Sequence, residues 1–240
     1  GTVAGSPYTV AEELKTRFDT WLWSDDERAE QLAQIYNARF NVFVRPHADG
    51  SHLTLPGLSR LLIPRPLQKD AVWFSLQRAA TLIGDEVGLG KTIEAASVIE
   101  HAIRFRQIGR ILILTPKGVI SQWQEELYQL FGLNFWIYDS GTKTFYDVSG
   151  RVQEKGPGPV LSKNSPKLLL VSAQFARGRR GQSPLFTDTA VMPEMLVVDE
   201  AQAARIRPDI HGKMHPTRMW RLLDGISRKV PHLMLLPATP

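Results

Sequence analysis

Between an apolar stretch at residues 81–84 and a helix-like stretch at 90–106 lies Asp85-Glu86-Val87-Gly88-Leu89-Gly90-Lys91-Thr92. No other feature narrows the fold as far. A chain that runs strand, glycine-rich turn, helix can aim several backbone N–H groups at one anion. Glycine permits the close approach, and the helix start adds its dipole. Lys91 stands where an ammonium reaches the outer phosphates of a nucleotide, and Thr92 where a hydroxyl meets magnesium. The usual first glycine of this phosphate-loop pattern falls at position 85, which is Asp85 here.

The rest of the chain supplies a matching framework. Residues 111–115, 135–138, 168–171, 196–199 and 233–236 are short apolar runs without polar alternation. Helical patterns separate them, such as 119–131 with Ile120, Trp123, Leu127 and Leu130 on one side. Strands of that kind are buried on both faces, so the expected fold is α/β, a parallel sheet covered by helices on both sides. Two stretches interrupt the pattern: residues 141–166, rich in Gly, Pro, Ser and Lys, and residues 177–184, which contain Arg177-Gly178-Arg179-Arg180-Gly181.

A small helical segment is expected ahead of this body. Thr9-x-x-Glu12 and Ser24-x-x-Glu27 each fit a capping box, in which hydroxyl and carboxylate satisfy free backbone N–H groups. Leu14, Phe18, Trp21 and Leu22 follow the first at helical spacing, and Leu32, Ile35, Tyr36 and Phe40 the second, so a hairpin burying one face of each helix is expected. Turns at Asp49-Gly50-Ser51 and Pro56-Gly57 then place the boundary near residue 60, with an accessory segment at 1–60 and the main body at 61–240.

Composition removes several classes. The 240 residues are 43% hydrophobic and 22% charged, which suits a globular chain and not a disordered one. With Cys 0, neither a disulfide scaffold nor a cysteine metal site is available. No apolar run reaches membrane-spanning length and no leader is visible, so no membrane partner and a cytoplasmic location are expected. Lys+Arg 29 against Asp+Glu 24 leaves a net charge of +5, compatible with a polyanion without arguing for one. The first methionine at position 192 and the stop directly after Pro237-Ala238-Thr239-Pro240 lead us to expect a piece of a longer chain.

A second chemical feature is Leu196-Val197-Val198-Asp199-Glu200-Ala201-Gln202, a hydrophobic strand ending in two acids. An acid at the carboxyl end of a neighbouring strand is where a magnesium ion bound to Thr92 would be met. Asp199 would hold that ion through its water shell, and Glu200 would polarise the attacking water. Capping of a following helix is the other reading of these acids.

Arg65-Pro66-Leu67-Gln68, residues 85–92, Thr115-Pro116-Lys117, residues 199–202 and residues 237–240 occur in the order seen in superfamily-two helicases. Asp-Glu-x-Gly-Leu-Gly-Lys-Thr is similar to the Swi/Snf-type branch of ATP-driven double-stranded DNA translocases. Residues 86–95 resemble the branch of the bacterial RNA-polymerase-recycling ATPase. Tyr36-Asn37-x-x-Phe40-Asn41, residues 49–57 and residues 68–73 resemble large helicase–methyltransferase proteins of phages and mobile elements.

The resemblance implies a first RecA-like lobe that binds ATP and Mg2+. Gln68, with Arg65 nearby, would read adenine, and Asp85, Glu86, Val87, Gly88, Leu89, Gly90, Lys91 and Thr92 would cradle phosphate. Asp199 and Glu200 would be the acid pair, with Glu200 and Lys91 catalytic. Gln202, where the branch commonly has histidine, would sense the gamma-phosphate. Thr239 would couple nucleotide state to DNA grip, and Pro237 stands where the family usually has Ser, Thr or Gly. Thr115, Lys117, Ser121, Gln122, Ser172 and Gln174 would lie on the backbone of double-stranded DNA, and such contacts carry no sequence information.

A second RecA-like lobe supplying an arginine finger would follow in the longer chain. Protein partners in a larger complex, and a role in prokaryotic defence, mobile-element biology or transcription-complex recycling, are implied as well. The rival reading is a non-enzymatic DNA- or protein-binding scaffold. The Arg177–Arg180 run reads either as a phosphate grip or as a solvated loop. Trp123 reads as core from its helical register, with a stacking platform as the other reading. His211 and His215 have the spacing of a helical zinc pair but no acid between them.

Overall fold

The computed structural model describes residues 7–25, 27, 30–32, 48–60, 62–84, 90–178, 183–209 and 212–237. The chain divides into two compact units, residues 1–47 and residues 48–240.

In the first unit, helix α1 runs Pro7–Trp23. Thr9 therefore lies inside the helix instead of capping it. The Ser24 hydroxyl, expected to cap a second helix, donates back to the Trp21 carbonyl at 2.9 Å. The apolar stripe of α1 is exposed at Leu14, Phe18 and Trp21, which corrects the expectation of a buried face. The Phe18 and Trp21 rings lie 5.8 Å apart along that stripe. Ile35, Tyr36 and Phe40 lie outside the described residues.

The second unit is built on one eight-stranded sheet. In chain order its strands are β1 (Ala80–Leu82), β2 (Ile111–Thr115), β3 (Trp136–Asp139), β4 (Thr144–Tyr146), β5 (Val152–Glu154), β6 (Leu168–Ser172), β7 (Met195–Asp199) and β10 (His232–Leu236). Their spatial order is β1-β10-β7-β2-β6-β3-β4-β5. The first six in that order pair in parallel, and β4 and β5 close the far edge as an antiparallel pair. A separate exposed hairpin pairs β8 (Ile206–Pro208) with β9 (Met214–Pro216).

Side chains of a strand alternate between faces, and here both faces are apolar. Ile111, Ile113 and Val197 point to one layer, where they meet residues of α2 (Pro66–Leu76), α3 (Lys91–Arg106) and α4 (Ile120–Phe131). Leu112, Leu114, Leu196 and Val198 point to the other, filled by Met219, Leu222, Leu223 and Ile226 of α6 (Arg218–Ile226). A short helix, α5 (Ala173–Ala176), follows β6. The expected parallel α/β sheet with helices on both faces is what forms.

Two departures have physical causes. Residues 141–166 are not simply a loop, since they hold β4 and β5, whose turn is organised by Asp147. That buried carboxylate accepts hydrogen bonds from Asn134 Nδ2, Ser149 N and Oγ, and Arg151 N, Nε and guanidinium nitrogen. The compact body also begins at residue 48, not 61. Gly50 N donates to Asp70 Oδ1 at 2.7 Å, Lys69 Nζ to the Leu53 carbonyl at 2.9 Å, and Ser59 N to the Leu130 carbonyl at 2.7 Å. Leu53 and Leu58 are buried in the core, so the turn-rich stretch belongs to the sheet domain.

Candidate functional site

Parallel strands of an open α/β sheet present their carboxyl ends on one edge, where ligands gather. On that edge β1 leads through residues 85–89, outside the described residues, to Gly90 and α3. Beside it β10 ends at Leu236, and β7 ends at Asp199. Leu236 pairs with Asp199 in the ladder.

Gly90 has φ +94°, a left-handed backbone that favours glycine. A Cβ there would lie 2.6 Å from Nε2 of Gln68, so the loop residue and the Gln68 amide are in direct contact. Gln68 is buried at the start of α2, and its Oε1 accepts the Arg65 N–H at 2.9 Å. Two motifs that are distant in sequence thus meet at one point. Lys91, next along, extends its ammonium to the Pro237 carbonyl at 2.8 Å. Pro237 follows the residue that pairs with Asp199, so the lysine and the first acid approach the same part of the sheet edge from two sides. Thr92 is half-buried in the first turn of α3.

Asp199 is held closely. Its Oδ2 accepts from Thr115 Oγ1 at 2.8 Å and from Trp123 Nε1 at 3.0 Å, and its Oδ1 accepts the Glu200 N–H at 2.9 Å. A carboxylate offers about four lone-pair sites. Three are used by these donors, and the remaining one is on Oδ1. Hydrogen bonds to a charged acceptor are worth about 1.5–3 kcal/mol each, enough to hold one rotamer. Glu200 has φ +54°, an uncommon value for a non-glycine residue. The Gln202 amide nitrogen donates to Glu200 Oε2, tying the second acid to the residue expected to sense phosphate.

These oxygens suit magnesium, which takes hard oxygen ligands, keeps several waters and needs only one or two protein carboxylates besides substrate phosphates. Among the described residues no group of three or more His, Cys, Asp or Glu could hold a metal by itself. His215 stands on β9, not on a helix, and its Nε2 lies 2.9 Å from Asp209 Oδ2; His211 lies outside the described residues.

The residues expected on DNA separate into three groups. Thr115 is fully buried and its hydroxyl is committed to Asp199, so it is removed from the surface set: the end of β2 faces the acid, not solvent. Lys117, Ser172 and Gln174 line one open groove beside Phe175. The Lys117 N–H donates to Gln174 Oε1 at 3.1 Å, and Ser172 Oγ caps α5 by accepting the Phe175 N–H at 3.2 Å. Ser121 and Gln122 are exposed on the first turn of α4, where Gln122 Nε2 donates to Glu126 at 2.8 Å. Asp85, Glu86, Val87, Gly88, Leu89 and Thr239 lie outside the described residues, as does most of the arginine run after Arg177.

Trp123 is the residue whose part in the site the sequence does not reveal. Its helical spacing marks it as core, and it is buried. The available signal is its indole N–H, because a buried tryptophan usually finds an acceptor.

A family described as a domain of unknown function (DUF8437) matches residues 8–42. The chain is 29% identical over 220 residues to the RNA polymerase-associated protein RapA of Sodalis glossinidius, covering 89% of this chain and 20% of that protein. It is 31% identical over 161 residues to RapA of Vibrio vulnificus strain YJ016, covering 66% of this chain and 15% of that protein. It therefore spans about a fifth or less of the length of these relatives. Among solved structures, the Sulfolobus solfataricus SWI2/SNF2 ATPase core in complex with dsDNA superposes with TM-score 0.51 at 17% identity, over 82% of this chain and 34% of that one. The Pyrococcus furiosus Hef helicase domain gives TM-score 0.50 at 21% identity, over 76% and 34%. The fold is RecA-like, shared with the SWI2/SNF2 ATPase core and the helicase domain on which the chain superposes.

Proposed function

We propose that the chain is the ATP-binding lobe of a Swi/Snf-type DNA-dependent ATPase that moves along double-stranded DNA. The observation that carries this reading is the convergence of Lys91, through Pro237, with Asp199 and Glu200 on one edge of the sheet. The names of the curated relatives and the RecA-like fold support it.

In this reading Gly90 and its preceding loop offer backbone N–H groups to the phosphates, and Lys91 leaves the Pro237 carbonyl to neutralise their charge. Gln68 meets the adenine edge with Nε2 as donor, while its Oε1 stays on Arg65. Thr92 and Asp199 would hold magnesium, which would neutralise part of the phosphates' charge. Glu200, oriented by the Gln202 amide, accepts hydrogen bonding from the attacking water. Phosphoryl transfer leaves the protein little covalent work, so positioning and electrostatics account for the rate. Thr239 transmits nucleotide state, and an arginine finger from a second lobe completes the site.

Lys117, Ser121, Gln122, Ser172 and Gln174 contact the phosphates of a duplex without reading its sequence. The relatives' RNA polymerase association supports a protein partner, and the phage-like motifs support a setting in defence or mobile-element biology.

The test is Lys91→Ala in the full-length protein. We expect loss of DNA-stimulated ATP hydrolysis by about a hundredfold or more, measured as phosphate release. Turnover equal to the unsubstituted protein overturns the reading, and a wild-type protein that binds no nucleotide at millimolar magnesium favours the scaffold.

A further inference from the structure

Two donors grip the same oxygen of Asp199, and they stand at the two ends of one short segment. Thr115 is the last residue of β2, and Trp123 lies in the first turns of α4. Both donate to Oδ2, at 2.8 and 3.0 Å. The residues between them, 116–122, contain Lys117, Ser121 and Gln122, which are exposed. The Lys117 backbone is tied in turn to Gln174 across the open groove. One end of this arrangement faces solvent with a cation and amides, and the other ends on the carboxylate that the proposed function gives to magnesium.

We propose that residues 116–122 transmit the presence of duplex DNA to the nucleotide site, with Thr115 and Trp123 as positioning residues for Asp199. The inference rests on the ATPase reading. Phosphates drawn to Lys117 displace the segment, and its two anchors carry the displacement to Oδ2. Oδ1, with its one remaining lone-pair site, turns with the carboxylate, so the hold on the magnesium-bound nucleotide changes. A hydrogen bond weakens steeply with angle, so a small movement suffices. Binding coupled in this way is reciprocal: DNA alters nucleotide affinity by the factor by which nucleotide alters DNA affinity.

Packing alone would explain a buried tryptophan and a buried threonine, and the test separates that role. In the full-length protein, affinity for a fluorescent ATP analogue with magnesium is measured with and without a short DNA duplex, for wild type, Trp123→Phe, Thr115→Val and Thr115→Ser. We expect the duplex to change wild-type affinity about fivefold or more. That ratio falls to near one in Trp123→Phe, which keeps a ring but loses the N–H, and in Thr115→Val. Thr115→Ser restores it by restoring the hydroxyl. Should Trp123→Phe fail to fold by thermal melting, the Thr115 pair decides.

Ratios unchanged in Thr115→Val, or a wild-type ratio of one, overturn the transmission while leaving the ATPase reading in place. Failure of that reading has its own signature: Lys91→Ala binds the analogue with magnesium as tightly as wild type.

Discussion

Glycines 50 and 90 show how differently one residue type can be required. At Gly90 the backbone is left-handed, at φ +94°, and an added Cβ would press on a side-chain amide that can shift. At Gly50 an added Cβ would sit 2.1 Å from the Lys69 carbonyl oxygen, which is backbone of α2 and cannot step aside. Gly50→Ala is therefore expected to lower stability by about 2 kcal/mol or more through forced separation of the turn from α2. Gly90→Ala is expected to cost about 1–2 kcal/mol and to weaken nucleotide binding as well. Thermal melts of both variants, with a nucleotide titration, check the order and the division between stability and binding.

Among the elements, the β4–β5 edge hairpin depends on a single carboxylate. Burial by itself pushes the Asp147 carboxyl up, but hydrogen bonds from Ser149, Arg151 and Asn134 outweigh it and hold the group well below the usual carboxylate range. The folded state therefore binds this proton more weakly than the unfolded chain. The stability contributed is fully present above the ordinary value of 3.8 and is lost as pH falls below it toward the depressed folded value. Asp147→Asn should lower the melting temperature at neutral pH and flatten its dependence between pH 4 and lower values. A melting curve against pH that keeps its wild-type acid slope in Asp147→Asn would contradict this account. The same hairpin is hidden in sequence by Gly, Pro and Ser: its strands, Thr144–Tyr146 and Val152–Glu154, are too short to show a period.

For the whole molecule, the boundary at residue 48 makes a direct prediction about folding. A chain of residues 48–240 keeps Leu53 and Leu58 in the core and the Gly50–Asp70 and Lys69–Leu53 hydrogen bonds. A chain of residues 61–240 loses both leucines, each worth about 1.5–3 kcal/mol of burial. Residues 48–240 should unfold in one cooperative transition, and residues 61–240 at a clearly lower temperature. Equal melting temperatures would restore the boundary at 60 read from the turns. No helix among the described residues is long and apolar enough to cross a membrane.

The parallel sheet, its two helical layers and the order of its motifs were legible in the sequence, because continuous apolar strands, helical spacing and a glycine-lysine-threonine turn are local patterns with local causes. Lys91, Asp199 and Glu200 could be proposed as site residues from residue type and flanking strand alone. What surrounds them could not. Thr115 looked like a surface hydroxyl until β2 was set beside β7, and Trp123 looked like plain core until its N–H met Asp199 Oδ2. Gly50 looked like an ordinary turn until α2 lay against it. Strand order and helix docking decide which polar atom a buried donor reaches, and partners 76 to 84 residues apart in the chain leave no periodic trace of each other.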